Sequence, residues 1–182
     1  MKHIALLIFL LASLAVQGTR PDTVFTSQPI PDSVFQQMQG KSYKANCPIP
    51  REELRSLRLS YCDAEGTTRQ GEMICHSSIA ADLVDIFRQL WKAHYPIERM
   101  QLIDEYDADD TRSMEANNTS CFNYRTIAGT QIISKHGRGM DIDLNPLYNP
   151  YVRGNHVEPE KGRPWAYHRE KRKDIHYKIN KT

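Results

Sequence analysis

The sequence of 182 residues lacks several features that would place it in a common class of protein. None of its four cysteines forms a CxxC pair, which disfavours a zinc site built from cysteines and leaves all three disulfide pairings open. The formal net charge is only +2, which gives no reason to expect a nucleic-acid partner. Internal repeats and low-complexity tracts are also missing. Length and composition therefore indicate one globular domain, expected to be a monomer.

Long apolar runs are missing too, apart from one near the start of the chain. Residues 4–16 are almost entirely apolar and follow Lys2 and His3. A membrane-spanning helix needs about 20 apolar residues, whereas a shorter run is typical of a secretory signal. We expect residues 1–18 to be a cleaved signal of a secreted or periplasmic protein with no stable membrane anchor; an uncleaved anchor is the alternative. The proline-containing residues 19–34 are expected to be a linker, and residues 35–182 the folded domain.

Hydrophobic periodicity predicts one helix and one hairpin clearly. Apolar residues recur at helical spacing over residues 79–94, with Ser77 or Ser78 as the expected cap. Residues 57–62 and 71–76 flank a polar stretch, which predicts a β-hairpin. Weaker patterns predict a short helix at 51–57, strands at 100–103, 130–133 and 140–144, and a solvated acidic turn at 104–110. Together they indicate an α+β fold with a small, mostly antiparallel sheet and flanking helices.

The segment 134–143, SKHGRGMDID, contains the residues most suited to metal chemistry. Two ligands of one zinc ion lie only a few ångströms apart, but seven residues of extended strand would separate His136 and Asp143 by about 23 Å, and two helical turns by about 10 Å. A loop that reverses direction would bring them together, and Gly137 and Gly139 permit the dihedral angles that such a loop needs. A structural histidine without a metal is the alternative.

The same segment resembles the S-x-H-x-x-G-x-A-x-D motif of the zinc D-Ala-D-Ala carboxypeptidase family, which includes vancomycin-resistance peptidases and phage endolysin endopeptidases. Ser134, His136, Gly139 and Asp143 match it. One branch of the family also has segments similar to residues 102–114 (LID-x-Y-x-x-DD-x-x-SM), 116–125 (ANNTS-x-FNYR) and 143–151 (D-x-NPLYNPY). The resemblance covers about residues 29–163 and implies the D-Ala-D-Ala-peptidase (Hedgehog-like) type of fold.

The resemblance implies a role for several side chains. His136 and Asp143 match zinc ligands, and Arg125 matches an arginine that steadies the substrate carbonyl or the developing oxyanion. Ser134 would shape the loop or orient His136, together with Gly137 and Gly139 in the loop. Two tyrosines, at 124 and 148, would line the cleft or pack as ordinary aromatics. The implied cofactor is Zn²⁺, and the implied partners are peptidoglycan peptides.

Two departures from the family pattern stand out. The family takes its third zinc ligand and its general base from a later segment resembling WGGDW…D-x-x-HFE, and nothing after Tyr151 matches it, so the chain is expected to be a truncated member. His156, His168 and His176 are the available substitutes, the last having Asp174 nearby. In addition, Asp141 replaces the family's alanine. On a strand it would share a face with Asp143 and act either as an extra ligand or as an unpaired charge.

The resemblance therefore implies a zinc-dependent metallopeptidase, a hydrolase of the D-Ala-D-Ala carboxypeptidase or endopeptidase type acting in the cell wall. Whether the truncated chain is active is left open. The alternative is a non-catalytic cell-wall-binding module on a degenerate peptidase fold. The two differ in one requirement, because a peptidase needs a general base near the metal-bound water and a binding module does not.

Overall fold

The computed structural model describes residues 22–127 and 129–166, and its centre is an antiparallel hairpin. Strand β2 (Leu54–Cys62) pairs with β3 (Thr68–His76), with Leu57 opposite Met73. Strand β1 (Phe25–Gln28) pairs antiparallel with the other edge of β2, which gives the order β1-β2-β3. The hairpin expected from the sequence is confirmed.

Helix α2 (Ser77–Lys92) covers one face of this sheet. Alternate residues of the hairpin point toward it, and the resulting core contains Leu57, Leu59, Met73, Leu83 and Phe87. The helix predicted at 79–94 is therefore confirmed, with slightly different ends. The expected serine cap is wrong, because the ring of the residue before the helix, a histidine, accepts the hydrogen bond from the Ser78 amide.

Helix α1 (Asp32–Met38) lies against the opposite face, where Ile30, Leu54 and Ile74 are buried in a second cluster. Residues 19–34 were expected to be a linker, yet their described part contains β1 and the start of α1. The sheet captures this segment because Phe25 packs edge-to-face on Trp91 of α2, with ring centroids 6.0 Å apart.

Smaller elements complete an α+β structure, which confirms the fold class. Helix α3 (Asp110–Glu115) follows the acidic segment, strands β4 (Tyr151–Arg153) and β5 (His156–Glu158) form a two-stranded antiparallel sheet, and α4 (Arg163–Ala166) comes last. Within the described ranges, no helix has the length and apolar character needed to cross a membrane. The expected signal at residues 1–18 lies outside these ranges.

Four of the weaker predictions are wrong. Residues 51–57 form only a 3-10 turn (Arg51–Glu53) before β2 begins, and the strands expected at 100–103, 130–133 and 140–144 are not formed. In place of the strands expected at 130–133 and 140–144, the described chain has isolated β-bridges, such as that of Thr126 with Ile133. Most of the chain between α2 and β4 is irregular, so its buried backbone groups need other partners.

Asparagine side chains supply many of those partners. Asn118 is fully buried; its Oδ1 accepts from the Gln101 amide (2.8 Å), and its Nδ2 donates to the Gln101 carbonyl (3.1 Å). Asn145, 1% exposed, accepts from the Glu98 amide and donates to the Pro96 carbonyl. Each amide replaces a piece of strand ladder, because it offers a donor and an acceptor like a peptide group.

The acidic stretch 104–110 is a solvated turn only in part: Glu105, Asp107 and Asp109 are exposed, but its first residue is buried. Asp104 is 2% exposed, and its carboxylate accepts from both the amide (3.0 Å) and the hydroxyl (2.9 Å) of Ser42. The stretch is therefore tied into the domain, and it places Asp110 at the start of α3 beside the site described next.

Candidate metal centre

Residues 120–124 form the extended segment on which the site is built. Ser120 and Asp143 exchange two backbone hydrogen bonds (3.1 and 2.9 Å), and the Phe122 amide donates to the carbonyl of Ile74 in β3. The Asn123 amide donates to the His136 carbonyl at 3.0 Å. This segment therefore holds the main chains of His136 and Asp143 and attaches both residues to the sheet.

The loop between those residues reverses direction at its two glycines. His136–Arg138 is a 3-10 turn, after which Gly139 has φ +66° and its carbonyl accepts from the His76 amide. A Cβ atom on Gly139 would lie 2.7 Å from that amide nitrogen, and one on Gly137 would lie 2.7 Å from the carbonyl oxygen of Arg125. Both positions therefore require glycine for close approach, and Gly139 also for its left-handed φ, whereas Gly137 lies in the 3-10 turn without a positive φ.

Ser134 stabilises the loop rather than the histidine side chain. Its buried Oγ accepts from the Gly137 amide at 2.9 Å, and its own amide donates to the Arg125 carbonyl. Of the two roles that the sequence left open, the structure assigns the first, because the Ser134 hydroxyl is hydrogen-bonded to the loop backbone.

The side chains of His136 and Asp143 meet at the centre of the loop. His136 Nε2 lies 3.6 Å from Asp143 Oδ2, with the two side chains 15% and 32% exposed. This distance is longer than an N–H···O hydrogen bond, which spans about 2.7–3.2 Å. Two donors each about 2.1 Å from one tetrahedral zinc ion would be about 3.4 Å apart. The spacing therefore fits a pair of metal ligands.

The other ring nitrogen of His136 fixes which atom can bind a cation. Nδ1 lies 2.8 Å from the Cys121 carbonyl oxygen, which can only accept, so Nδ1 carries the proton. In the neutral imidazole, Nε2 then presents its lone pair to the Asp143 carboxylate. Metal-bound histidines commonly have this arrangement, in which a carbonyl orients the ring through the nitrogen that does not bind the metal. The donor set therefore fits Zn²⁺ at these two positions.

Some surroundings of Asp143 raise the pKa of its carboxyl group and others lower it. Burial raises the pKa of its carboxyl group above the ordinary value, and the carboxylates of Asp110 and Asp141 act in the same direction. The positive charge of Arg125, and that of His136 when its ring is protonated, oppose the rise. A bound cation would favour the ionised form of Asp143 in the same way.

Asp141 does not share a strand face with Asp143, because residues 140–144 form no strand. Its side chain is exposed, and its Oδ1 lies 3.2 Å from the amide nitrogen of Ile142. Burial is the main cause of the raised pKa of the Asp143 carboxyl group, and the negative charge of Asp141 adds to it.

Arg125 is placed beside the pair by an acidic partner that the sequence did not reveal. Its Nε contacts Asp110 Oδ2 in an ion pair, and Asp110 Oδ1 accepts from Asn123 Nδ2 at 2.9 Å. Asp110 is fifteen residues earlier in the chain, in a stretch interpreted as a solvated turn. The adjacent acidic pair Asp109–Asp110 was the available signal, but an acidic pair at a helix start is ordinarily a cap, as Asp109 is here.

The two tyrosines proposed for the cleft have other surroundings. Tyr124 is 8% exposed and belongs to the core cluster on the α1 side of the sheet. Tyr148 packs on Trp165 with ring centroids 5.1 Å apart and lines a separate cavity of about 410 Å³, together with Glu98. Burial and the nearby Glu98 carboxylate raise the pKa of the Tyr148 hydroxyl.

A third ligand is not supplied by the residues that the structure describes. Within them, no group of three His, Cys, Asp or Glu side chains is arranged to hold a metal ion. Of the substitutes weighed from the sequence, His156 lies on β5 with 64% of its side chain exposed, 3.6 Å from Glu158. His168 and His176 lie outside the described ranges.

Comparisons with known proteins add no relative: no protein-family model, no curated protein and no solved structure matches this chain.

Proposed function

We propose that the protein is an exported zinc peptidase of the D-Ala-D-Ala carboxypeptidase type that acts on peptidoglycan stem peptides. The observation that carries the proposal is the geometry of His136 and Asp143, whose Nε2 and Oδ2 atoms are 3.6 Å apart while the Cys121 carbonyl fixes the histidine tautomer. The motif resemblance at Ser134, His136, Gly139 and Asp143 supports it. We propose the same family type of fold for residues 35–182.

The chain's own residues have distinct roles in this reaction. His136 and Asp143 would hold the ion, which when bound polarises the scissile carbonyl and lowers the pKa of a water molecule. Arg125, whose side chain is 34% exposed, would donate hydrogen bonds to the substrate carbonyl oxygen as negative charge develops there. A guanidinium suits this role because it stays charged and offers several donors in a plane.

The proposal requires a third ligand from outside the described ranges, and a general base. His168 and His176 lie there, in the part of the chain after residue 166. A hydrolytic zinc site needs three protein ligands and one position for water, so one of these side chains, or a residue of another segment, has to complete it.

A second candidate function is a wall-binding module that recognises stem peptides without cleaving them. The specific observation in its favour is that the described part of the chain contains no group of three potential metal ligands. In this case Arg125 and the His136–Asp143 pair would recognise a peptide, and no base would be needed.

Zinc affinity separates the two functions. We expect the purified protein to bind one zinc ion per chain in a chelator competition, and His136→Ala to lower the affinity by more than about 100-fold, since even residues behind the ligands contribute 10- to 100-fold. His156→Ala, which removes an exposed histidine, is the matched control and should bind as wild type does.

Hydrolysis is then measured with peptides ending in D-Ala-D-Ala and with L-Ala-D-Glu peptides. Zinc binding with cleavage of either supports the peptidase. Stem-peptide binding without zinc affinity or cleavage supports the module, and equal zinc affinity in wild type and His136→Ala would contradict the proposed centre.

A further inference from the structure

The proposed reaction gives no role to two polar side chains at the site, Asp110 and Asn123. Asp110 is the first residue of α3, and Asn123 belongs to the extended segment that holds the motif loop. Both lie in the stretches 102–114 and 116–125 that the sequence singled out. Their contacts connect those stretches to Arg125.

Asn123 fixes the position of Asp110. It is 3% exposed, its Nδ2 donates to Asp110 Oδ1 (2.9 Å) and to the Ala108 carbonyl (3.0 Å), and its amide donates to the His136 carbonyl. The carboxylate of Asp110 is therefore attached to the same backbone that holds His136. Through its second oxygen it contacts Arg125 Nε.

Two carboxylates are acted on by the guanidinium of Arg125. Asp110 contacts it directly, whereas Asp143 senses its charge without forming an ion pair with it among the described residues. A guanidinium binds a carboxylate strongly through paired N–H groups. If Arg125 bound Asp143 in this way, the carboxylate would be occupied and two of the five arginine N–H groups would be turned away from the substrate.

We propose that Asp110, held by Asn123, is a positioning residue that keeps the Arg125 guanidinium off Asp143. The catalytic consequence rests on the proposed function: the carboxylate of Asp143 stays available for the metal ion, and the remaining N–H groups of Arg125 stay available for the substrate carbonyl. The positional claim itself concerns the metal-free protein.

The positional claim is tested by hydrogen exchange of the Arg125 Nε–H group, followed by ¹⁵N NMR on the metal-free protein. Its signal is identified by its loss in Arg125→Lys. Asp110→Asn should speed the exchange by about tenfold or more, because the carboxylate that contacts the buried Nε atom, and with it the ion pair, is lost. Asp109→Asn is the matched control: it removes the same charge one residue earlier and keeps a good helix cap, so exchange should not change. Equal exchange in Asp110→Asn and wild type overturns the proposal.

The functional claim is tested by zinc affinity and kinetics. Asp110→Asn should weaken zinc binding by about tenfold, because Arg125 turns to Asp143. Adding Arg125→Gln should restore the affinity, since no cation remains to occupy Asp143. In hydrolysis, Asp110→Asn should lower kcat with little change in KM, and Arg125→Lys should add no further loss to it.

Different results would overturn the positioning role of Asp110 and the proposed function. Additive losses in the double variant, or no recovery of zinc affinity, would overturn the positioning role. If the wild-type protein neither binds zinc nor hydrolyses peptides, the proposed function is wrong, and the exchange rates still decide whether Asp110 holds Arg125.

Discussion

At the scale of single residues, Gly139 shows how closely the motif loop approaches the start of α2. Its φ is +66°, and a Cβ atom would lie 2.7 Å from the His76 amide nitrogen. Gly139→Ala should lower the free energy of unfolding by about 2–4 kcal/mol, the sum of a left-handed penalty and local strain. Gly40→Ala is the control, since Gly40 has φ +74° with nothing within 4 Å, and should cost only about 1–2 kcal/mol. Equal losses in urea unfolding would contradict the close approach.

Asp104 gives the protein a pH dependence of its own. Burial raises the pKa of its carboxyl group above the ordinary 3.8, against the opposing hydrogen bonds from Ser42. A pKa that is higher in the folded state favours the protonated folded form, so this contribution is present below about pH 4 and is lost as the pH rises through the raised value. Asp104→Asn cannot ionise and should lack that loss. The check is urea unfolding of both proteins between about pH 4 and 7, where parallel curves would contradict the prediction.

At the scale of elements, α2 offers two adjacent apolar residues with opposite surroundings. Phe87 is fully buried against the sheet, whereas Ile86 is 44% exposed. Phe87→Ala should cost about 3–5 kcal/mol of unfolding free energy, because it leaves a cavity in the core. Ile86→Ala should change it by less than about 1 kcal/mol. Thermal and urea unfolding of the two variants measure the difference, and similar losses would show that α2 does not pack as described.

The same elements show what the sequence could and could not predict. The hairpin and α2 were predictable because their apolar residues recur with the regular periods of strand and helix. Strand β1 was missed because Phe25 gains its burial from Trp91, a residue far away in the chain. The strand expected at 100–103 was wrong because the side-chain amide of Asn118 replaces a backbone partner of Gln101, and the hydrophobic pattern of the sequence does not reveal such a partner.

The candidate site also has one feature that the sequence could predict and one that it could not. The meeting of His136 and Asp143 followed from two glycines in a short segment, which is local information. The ion pair of Asp110 with Arg125 depends on how α3 lies against the extended segment, which is tertiary information. Acidic residues in a polar stretch give no sign of such a partner.

At the scale of the whole molecule, Asn118 joins parts of the chain that no sheet connects. It is fully buried, its Oδ1 accepts from the Gln101 amide, and its Nδ2 donates to the Gln101 carbonyl and to Ser113 Oγ. Asn118→Ala should lower the unfolding free energy by about 2–4 kcal/mol, because it leaves buried groups unpaired. Asn155→Ala, at an exposed position, is the control and should be neutral within about 0.5 kcal/mol. A neutral Asn118→Ala in urea unfolding would contradict the described network.

The burial of the neighbouring amides also bears on how the protein can be produced. Residues 117–119 and 118–120 both read Asn-x-Ser/Thr, the acceptor sequence for N-linked glycans. Asn117 and Asn118 are 0% exposed, so the folded domain has no room for a sugar on either one. A glycan added to the nascent chain would keep the segment from reaching its place. Expression through a eukaryotic secretory pathway is therefore expected to yield misfolded glycoprotein, and a bacterial host is the suitable source.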